Sequence, residues 1–380
     1  MHTEIIDYLA LGFLKAKGID TCTVIKWLHH FEHANLVLNA SVADLAEILG
    51  KIPFVADEDW QRNVALAYQK AQEEFQHIKN QGIQAVCFAD ADYPSFLKHC
   101  PDAPIVLYYK GTLATLNERA NISIVGTRKA SHYGIKQTEN IVQALSAYKV
   151  NIISGLAQGI DQHAHLCALE AELPTFGVLG HGLQQIHPVS SREIAQKMQK
   201  QGAVLTEFPW GFPASKYSFP LRNRIVAGIS EATILIESAI DGGGMITARL
   251  SSEYNRETFA LPARLDDELS QGCLALIAQN KARCFTRIEE VLESLGIAKN
   301  AQEKVKKSQE TVKIPEKINK LYPQEQQAII NLLQEKEKLH IEELSERAGF
   351  DFSDLATILF ELEIENVIES LPGKYYQVKK

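Results

Sequence analysis

The segment SIVGTRKASHYG, residues 123–134, has the pattern of a buried strand that runs into a turn and then a helix, where α/β proteins bind phosphate. Its glycines, Gly126 and Gly134, are too far apart for the dinucleotide fingerprint G-x-G-x-x-G, and the sequence contains no G-x-x-x-x-G-K-[ST]. Arg128 stands where a dinucleotide site needs small residues. The turn therefore predicts an anion site of another kind.

Similar groups follow other apolar segments of the chain. The stretches SGLAQGID (154–161), KYSFPLRNR (216–224) and ESAIDGGGMITA (237–248) supply glycines, hydroxyls and cations. Glycine lets a backbone approach an anion closely, the amides at a helix N-terminus carry partial positive charge, and arginine binds phosphate in a bidentate manner. Each stretch alone could be an ordinary turn or helix start, but their convergence at one sheet edge favours an anion-binding groove.

Six short apolar runs predict the strands that position these groups: ISIV, VNII, TFGVL, AVLTE, ATILIE and ETFALP. Helical stretches are expected between the strands, at 134–148, 161–171, 191–201, 219–230 and 245–256. Nearly continuous apolar runs are typical of parallel strands that are buried on both faces. The alternation predicts an α/β fold with a Rossmann-like, doubly wound, mostly parallel sheet that binds ligands at the carboxyl ends of its strands.

The chain divides into regions of different composition. Its start has helical periodicity, including a capping signal from Ser41 to Asp44. Its end has three helical segments followed by a hairpin that turns at Pro372-Gly373, which is the pattern of a winged helix. The predicted domains are a helical domain (1–75, resembling a SAM or helix-hairpin-helix domain), the extended Rossmann-like core (76–296), a lysine-rich linker (297–317) and a winged-helix-like domain (318–380).

Composition limits the classes of function. The 380 residues carry a formal net charge of −8, so a nucleic-acid site would have to be a local basic groove. Six scattered cysteines without a C-x-x-C pair favour reduced thiols in a cytoplasmic protein. No apolar stretch approaches the ~18 residues that a membrane-spanning helix needs.

The sequence predicts no catalytic residues, no metal site and no cofactor. His163 and His165 point in different directions on a helix, and we expect Asp161 to cap that helix beneath His165. Asp90 and Asp92 have the context of turn-forming residues. No serine has a recognisable base partner.

The motif series resembles, in order and spacing, the DprA/Smf family of DNA-processing proteins. The series comprises IVGTR…YG, SGLAQGIDQHAH, VLGHGL…HP, TEFP, FPLRNRIVAGIS and IESAIDGGGMITA. The resemblance extends over the whole chain, more weakly in the two end domains. It implies a protein without enzymatic activity that binds and protects single-stranded DNA in natural transformation. It also implies that the protein loads the RecA recombinase and forms a homodimer through the Rossmann-like core.

The resemblance also assigns residues. Gly126, Thr127 and Arg128 match the family's phosphate-binding turn, and 216–224 matches its basic and aromatic segment. Phe219 would stack on a base there, although the same ring could instead be a core residue at a helix start. The residues expected to bind DNA are Gly126, Thr127, Arg128, Ser154, Gly155, Gly159, Lys216, Phe219, Arg222, Asn223, Arg224, Gly243, Gly244 and Thr247.

Some positions depart from the family pattern, and a rival function remains. Ala263 follows proline where the family generally has glycine, and KAKGIDTCT lacks the G-x-G of a helix-hairpin-helix. The core also resembles nucleotide phosphoribohydrolases of the lysine-decarboxylase-like family, whose signature is G-G-x-G-T-x-x-E. Here GGGMITARLSSE keeps the glycines and Thr247, but Glu253 comes too late. A pure interaction scaffold would leave Arg128 and Arg224 without a role.

The third helix of the winged-helix-like region is acidic. DFSDLATILFELEIENV carries Asp351, Asp354, Glu361, Glu363 and Glu365, and no lysine or arginine occurs from 348 through 373. A helix that enters a DNA groove must offset phosphate charge, whereas this one would add repulsion. We therefore predict that this region does not bind DNA and that its exposed acidic face suits a basic protein partner, if any.

Overall fold

The computed structural model describes residues 2–14, 19–50, 55–298, 323–335, 338–364, 367–371 and 373–378. Most of the expected linker lies outside these residues, as do Glu365 and Pro372. The chain forms two compact units, residues 1–303 and residues 304–380, and each is described by itself.

The first unit begins with five helices that join the central core. They are α1 (His2–Phe13), α2 (Thr21–Phe31), α3 (Ala34–Asn39), α4 (Val42–Ile48) and α5 (Asp57–Asn80). Ser41 caps α4 as predicted, because its Oγ accepts the Asp44 N–H at 3.1 Å. The Trp27 and Trp60 rings meet edge to face at 6.0 Å among buried residues that are continuous with one face of the sheet. The domain boundary expected after residue 75 lies inside α5.

A nine-stranded sheet organises the rest of this unit. Its strands are β1 (Gln84–Cys87), β2 (Val106–Gly111), β3 (Ala120–Val125), β4 (Val150–Ser154), β5 (Thr175–Val178), β6 (Ala203–Thr206), β7 (Ala232–Leu235), β8 (Glu257–Ala260) and β9 (Arg283–Cys284). Their order is β1-β2-β6-β5-β4-β3-β7-β8-β9. The seven strands β3 to β9 are parallel to one another. At one edge of the sheet, β1 and β2 are antiparallel, and β2 pairs with β6. The expected mostly parallel sheet is confirmed, and the six predicted strands are β3 to β8.

Helices cover both faces of the sheet, as a doubly wound fold requires. They are α6 (Ser95–Lys98), α7 (His132–Leu145), α8 (Ile160–Glu170), α9 (Arg192–Met198), α10 (Ser218–Ile229), α11 (Gly243–Glu253), α12 (Gln271–Ala278) and α13 (Ile288–Ser294). Alternate side chains of a strand point to opposite faces. Ile124 therefore packs in one apolar layer with α7, α8 and α13, whereas Val125 packs in the other with α10, α11 and α12.

The strand order places a topological switch between β3 and β7. The chain moves from β3 through β4 and β5 to β6 on one side, and then returns to β7 on the other side of β3. In open α/β sheets the ligand crevice lies outside the carboxyl ends of the strands at such a switch. The fold thus predicts a ligand site at the loops that follow β3, β4 and β7.

The second unit has three helices and a small antiparallel sheet. The helices are α14 (Gln324–Glu335), α15 (Ile341–Ala348) and α16 (Phe352–Ile364), and the strands β10 (Leu339–His340), β11 (Ile368–Leu371) and β12 (Tyr375–Val378) have the order β10-β12-β11. On α16, Leu355, Leu359 and Leu362 are buried as predicted. The exposed side carries acids together with Phe352 and Phe360, whose exposure the sequence reasoning missed.

Candidate nucleic-acid interface

A cleft of about 510 Å³ opens at the carboxyl ends of β3, β4 and β7, at the switch point. All but three of the residues expected to bind DNA line it. They are Gly126, Thr127, Arg128, Gly155, Lys216, Phe219, Arg222, Asn223, Gly243, Gly244 and Thr247. The structure therefore brings together side chains that lie as much as 121 positions apart in the sequence. Their part in binding DNA remains a prediction.

Ser154, Gly159 and Arg224 are the three predicted residues that do not line the cleft. Ser154 is fully buried and donates its hydroxyl to the Ile124 carbonyl at 2.6 Å, so it ties β4 to β3. Gly159 has φ of +81°, and an added Cβ would lie 2.3 Å from the Thr127 carbonyl oxygen. Ser154, at the end of β4, and Gly159, in the loop that follows it, therefore have structural roles behind the cleft.

Arg224 points away from the cleft into a partly buried ion pair. Its guanidinium donates to the Glu207 carboxylate and to the Asp102 carbonyl oxygen. The side chains of Arg224 and Glu207 are only 12% and 18% exposed. Burial raises the pKa of Glu207, and the Arg224 charge opposes that rise. Arg224 is thus already neutralised inside the protein, which argues against its expected role as a phosphate contact.

Arg222 forms the back wall of the cleft rather than a free cation. It is 4% exposed, and its guanidinium donates to the carbonyls of Gly155 and Val178. An added Cβ on Gly155 would lie 2.3 Å from this guanidinium, so only glycine fits there. Burial lowers the pKa of Arg222 to about 10, which the nearby Asp161 carboxylate partly offsets. Arg222 therefore stays charged at neutral pH and supplies a fixed positive field.

Asp161 does not cap α8 in the way that we expected. The N-cap position is Gly159, and Asp161 lies in the first turn of α8. Its carboxylate accepts the Gly155 N–H at 3.1 Å, so it fixes the loop after β4. Burial raises the pKa of Asp161, and the positive charge of Arg222 opposes that effect.

Sequence reasoning missed Glu237, which closes the N-terminus of α7. This fully buried carboxylate follows β7 and accepts the Ser131 N–H at 3.0 Å as well as the Ser131 hydroxyl. Ser131 in turn accepts the Gly134 N–H at 3.0 Å. The Ser131 and Gly134 amides at this end of α7 are therefore occupied by protein groups. The local signal in the sequence that could have indicated this role is a carboxylate two residues after the buried strand β7.

The N-terminus of α11 opens into this cleft. The first N–H groups of a helix lack partners within the helix. No hydrogen bond among the described residues engages the N–H of Gly243 or Gly244. A Cβ added to Gly243 would have no atom within 4 Å, whereas Asn223 holds the turn by donating to the Gly243 carbonyl at 3.3 Å. The dipole of α11 and these amides thus favour an anion here.

Two exposed cations and one aromatic ring complete the cleft. Arg128 and Lys216 are exposed, and neither forms an ion pair within the described residues. The Arg128 guanidinium carbon lies 5.4 Å from the centre of the half-buried Phe219 ring. The His187 ring, which sequence reasoning did not single out, is 6.1 Å from the same ring. This side of the cleft combines free positive charge with an aromatic surface, the combination that binds single strands elsewhere.

The described part of the chain has neither a metal-binding cluster nor a membrane-spanning helix. No group of three or more His, Cys, Asp or Glu side chains there could hold a metal ion. No described helix is both long and apolar enough to span a membrane. His165 is fully buried and bonds through Nδ1 to Thr175 Oγ1 at 2.7 Å, which makes it a core residue. Asp90 accepts the Cys87 N–H at 2.7 Å, which confirms it as a turn-forming residue.

The fold and the cleft define a Rossmann-like protein with a cationic crevice at the switch point, followed by a winged helix. Residues 84–296 match the DNA recombination-mediator protein A family, and residues 319–374 match the DprA winged helix domain. The chain belongs to the DNA recombination-mediator protein A (DprA/Smf) family, as the sequence motifs predicted.

Individual relatives agree with this assignment. The chain is 35% identical over 290 residues to protein Smf of Synechocystis sp., covering 75% of this chain and 72% of the relative. It is 34% identical over 280 residues to DNA processing protein DprA of Streptococcus pneumoniae, covering 73% of this chain and 95% of the relative.

Solved structures are similar as well. The X-ray structure of DNA processing protein A from Streptococcus pneumoniae is 31% identical with a TM-score of 0.63, covering 76% of this chain and 97% of that one. A structure of DNA processing protein A from Helicobacter pylori, reported for its single-stranded DNA binding mode, is 28% identical with a TM-score of 0.50. It covers 56% of this chain and 95% of its own.

Proposed function

We propose that this chain binds single-stranded DNA in the cleft at the switch point, without regard to sequence and without catalysing a reaction. The observation that carries the proposal is the grouping of Arg128, Lys216 and the Phe219 ring beside the open N-terminus of α11. Cations and helix amides suit the phosphates, and an aromatic ring suits any base. The relative from Helicobacter pylori binds single-stranded DNA, which supports the same class of ligand here.

The proposal extends to the biological role. We infer that the protein protects incoming single strands in the cytoplasm during natural transformation and loads RecA onto them, acting as a homodimer built through the Rossmann-like core. Membership of the DNA recombination-mediator family supports this role. RecA loading predicts that adding the protein to strands coated with single-strand-binding protein restores DNA-dependent ATP hydrolysis by RecA. Dimer formation predicts twice the chain mass in sedimentation equilibrium.

The geometry of the cleft does not favour the rival hypothesis, a nucleotide phosphoribohydrolase. Glu253 ends α11, whereas Gly243 and Thr247 lie in its first turns. Ten residues of helix separate Gly243 from Glu253, which is about 15 Å. Among the lining residues of the cleft, Asp161 is the carboxylate, and it is buried and bonded to Gly155. No lining carboxylate is therefore free to serve as the signature acid of a phosphoribohydrolase.

One pair of assays tests the proposed function. Fluorescence anisotropy with labelled (dT)20 should show salt-dependent binding that unlabelled duplex of the same length competes for poorly. Incubation with AMP should release no ribose 5-phosphate. Arg128→Ala should weaken the binding, whereas Lys129→Ala is the matched control, because Lys129 is an exposed neighbour that does not line the cleft. Ribose 5-phosphate release without oligonucleotide binding would overturn the proposal in favour of the enzyme.

A further inference from the structure

A second, smaller cavity of about 60 Å³ lies beside the cleft, and we call it the rear pocket. It shares Arg128, Phe219 and Arg222 with the cleft and adds Gln158 and His187. The space needed for one water molecule is about 10–15 Å³, so the rear pocket holds a group of a few heavy atoms. A cavity of this size matches a phosphodiester group better than a nucleobase.

His187 is held in place by a buried histidine. His181 is 3% exposed, and its Nε2 accepts the His187 N–H at 3.2 Å. The neutral tautomer that satisfies the two shorter contacts has its proton on Nδ1, which donates to the Gly182 carbonyl at 2.9 Å and leaves Nε2 as the acceptor. Burial lowers the pKa of His181, which keeps this arrangement neutral. The loop that carries His187 is thus fixed before any ligand binds.

The chemistry of the rear pocket suits an anion. Arg128 is exposed between the two cavities, and the buried Arg222 adds a fixed positive charge behind both. Gln158 is exposed and offers an amide N–H₂, and the His187 ring offers an N–H. No acidic residue is among the described residues that line the rear pocket. Hydrogen bonds from charged donors to phosphate are stronger than those between neutral groups.

We propose that the rear pocket binds the phosphodiester next to the one in the cleft, with His187 and Gln158 as its donors and Arg128 between the two phosphates. This assignment rests on the proposed function, because it deepens the same site. It makes the strand bend around the Phe219 ring, with one phosphate on each side of the ring. The site would therefore recognise two successive phosphates rather than one.

Small probes test the assignment directly. Thymidine 3′,5′-bisphosphate and thymidine 5′-monophosphate each compete with labelled (dT)12 for the full-length protein at low salt. We expect the bisphosphate to compete about tenfold better than the monophosphate, which corresponds to about 1.4 kcal/mol. His187→Phe keeps a ring beside Phe219 but removes both nitrogens, and Gln158→Leu removes the amide. In either variant the ratio of the two competition constants should fall below about threefold.

The controls keep the outcomes separate. Val189→Ala changes an exposed residue of the same loop that lines neither cavity, and it should keep the full preference. Inorganic phosphate at equal concentration should not displace (dT)12, which distinguishes a nucleic-acid phosphodiester from the free ion. Equal competition by the two thymidine probes on the native protein would overturn the rear-pocket assignment while leaving the proposed function intact. An unchanged preference in both variants would overturn it too, and failure of the native protein to bind (dT)12 would overturn both proposals.

Discussion

Replacing Arg224 by methionine should destabilise the protein without weakening DNA binding, the reverse of what its position in a basic segment predicts. The guanidinium donates to the Glu207 carboxylate and the Asp102 carbonyl, and both charged side chains are less than one-fifth exposed. The variant leaves Glu207 buried without its cation, which costs about 3–5 kcal/mol when a buried pair is broken. At about 2 °C per kcal/mol for a unit of this size, the melting temperature should fall by about 6–10 °C.

Arg128→Ala should show the opposite pattern. Arg128 is exposed and forms no ion pair within the described residues, so its loss should change the melting temperature by no more than about 1–2 °C. Each phosphate contact to a single strand contributes about 0.7 to the slope of log K against log salt, and that contribution should disappear. Arg224→Met should keep the native slope and the native affinity per folded molecule.

Both quantities can be measured on the same preparations. Thermal unfolding gives the melting temperature. The anisotropy of labelled (dT)20, measured across a series from about 50 to 200 mM salt, gives the slope. The double variant Arg224→Met/Glu207→Met removes both charges and should recover more than half of the lost stability. A slope reduced by about 0.7 in Arg224→Met, with an unchanged melting temperature, would refute the assignment of Arg224 to the interior.

Three further results are expected. Phe219→Leu should lower (dT)20 affinity by about 1–3 kcal/mol with an unchanged salt slope, because stacking releases no counterions, and a lower melting temperature with native affinity would instead make the ring a core residue. Deleting 318–380 should leave affinity in a gel shift within tenfold, and a larger loss would contradict the interpretation of acidic α16. Burial lowers the pKa of His165 to about 3, so its contribution to stability is complete above pH 6.5 and falls by about 1.4 kcal/mol per pH unit below it. The stability advantage of the native protein over His165→Asn in urea should therefore shrink by about 2 kcal/mol between pH 7 and pH 5, and a constant difference would contradict the buried neutral state.

The location of the cleft could be predicted because it depends on local patterns. Apolar runs mark the strands, and parallel strands bring their carboxyl ends to one edge whatever the intervening sequence. The turns after β3 and β7 therefore meet in space, as Gly126 and Gly244 do: the Gly126 Cα lies 3.5 Å from where a Gly244 Cβ would be. This contact follows from the order of the parallel strands, so it could be predicted without knowing which side chains are partners.

The surroundings of individual side chains depend on distant partners, so the sequence could not predict them. Arg222 and Arg224 are two positions apart on α10, so they point about 200° apart and cannot both face one cleft. Each arginine donates to an internal partner that no local sequence pattern shows. Arg222 donates to the carbonyls of Gly155 and Val178, and Arg224 donates to the Glu207 carboxylate. Because most of the residues of α10 from 225 to 229 are fully buried, its basic residues had to be satisfied inside the protein.

This difference has a quantitative consequence for the proposed binding of a strand in the cleft. Four phosphate-binding cations, as the basic segment and the turn after β3 suggest, would contribute about 2.8 to the salt slope at about 0.7 each. The structure leaves Arg128 and Lys216 as the exposed cations of the cleft, which would contribute about 1.4. Arg222 is buried and the open amides of α11 carry only partial charge, so neither should neutralise a phosphate and displace its counterion as an exposed cation does. Binding at this cleft should therefore depend less on salt than its basic sequence suggests, with a larger share of the affinity coming from preorganised amides and the ring of Phe219.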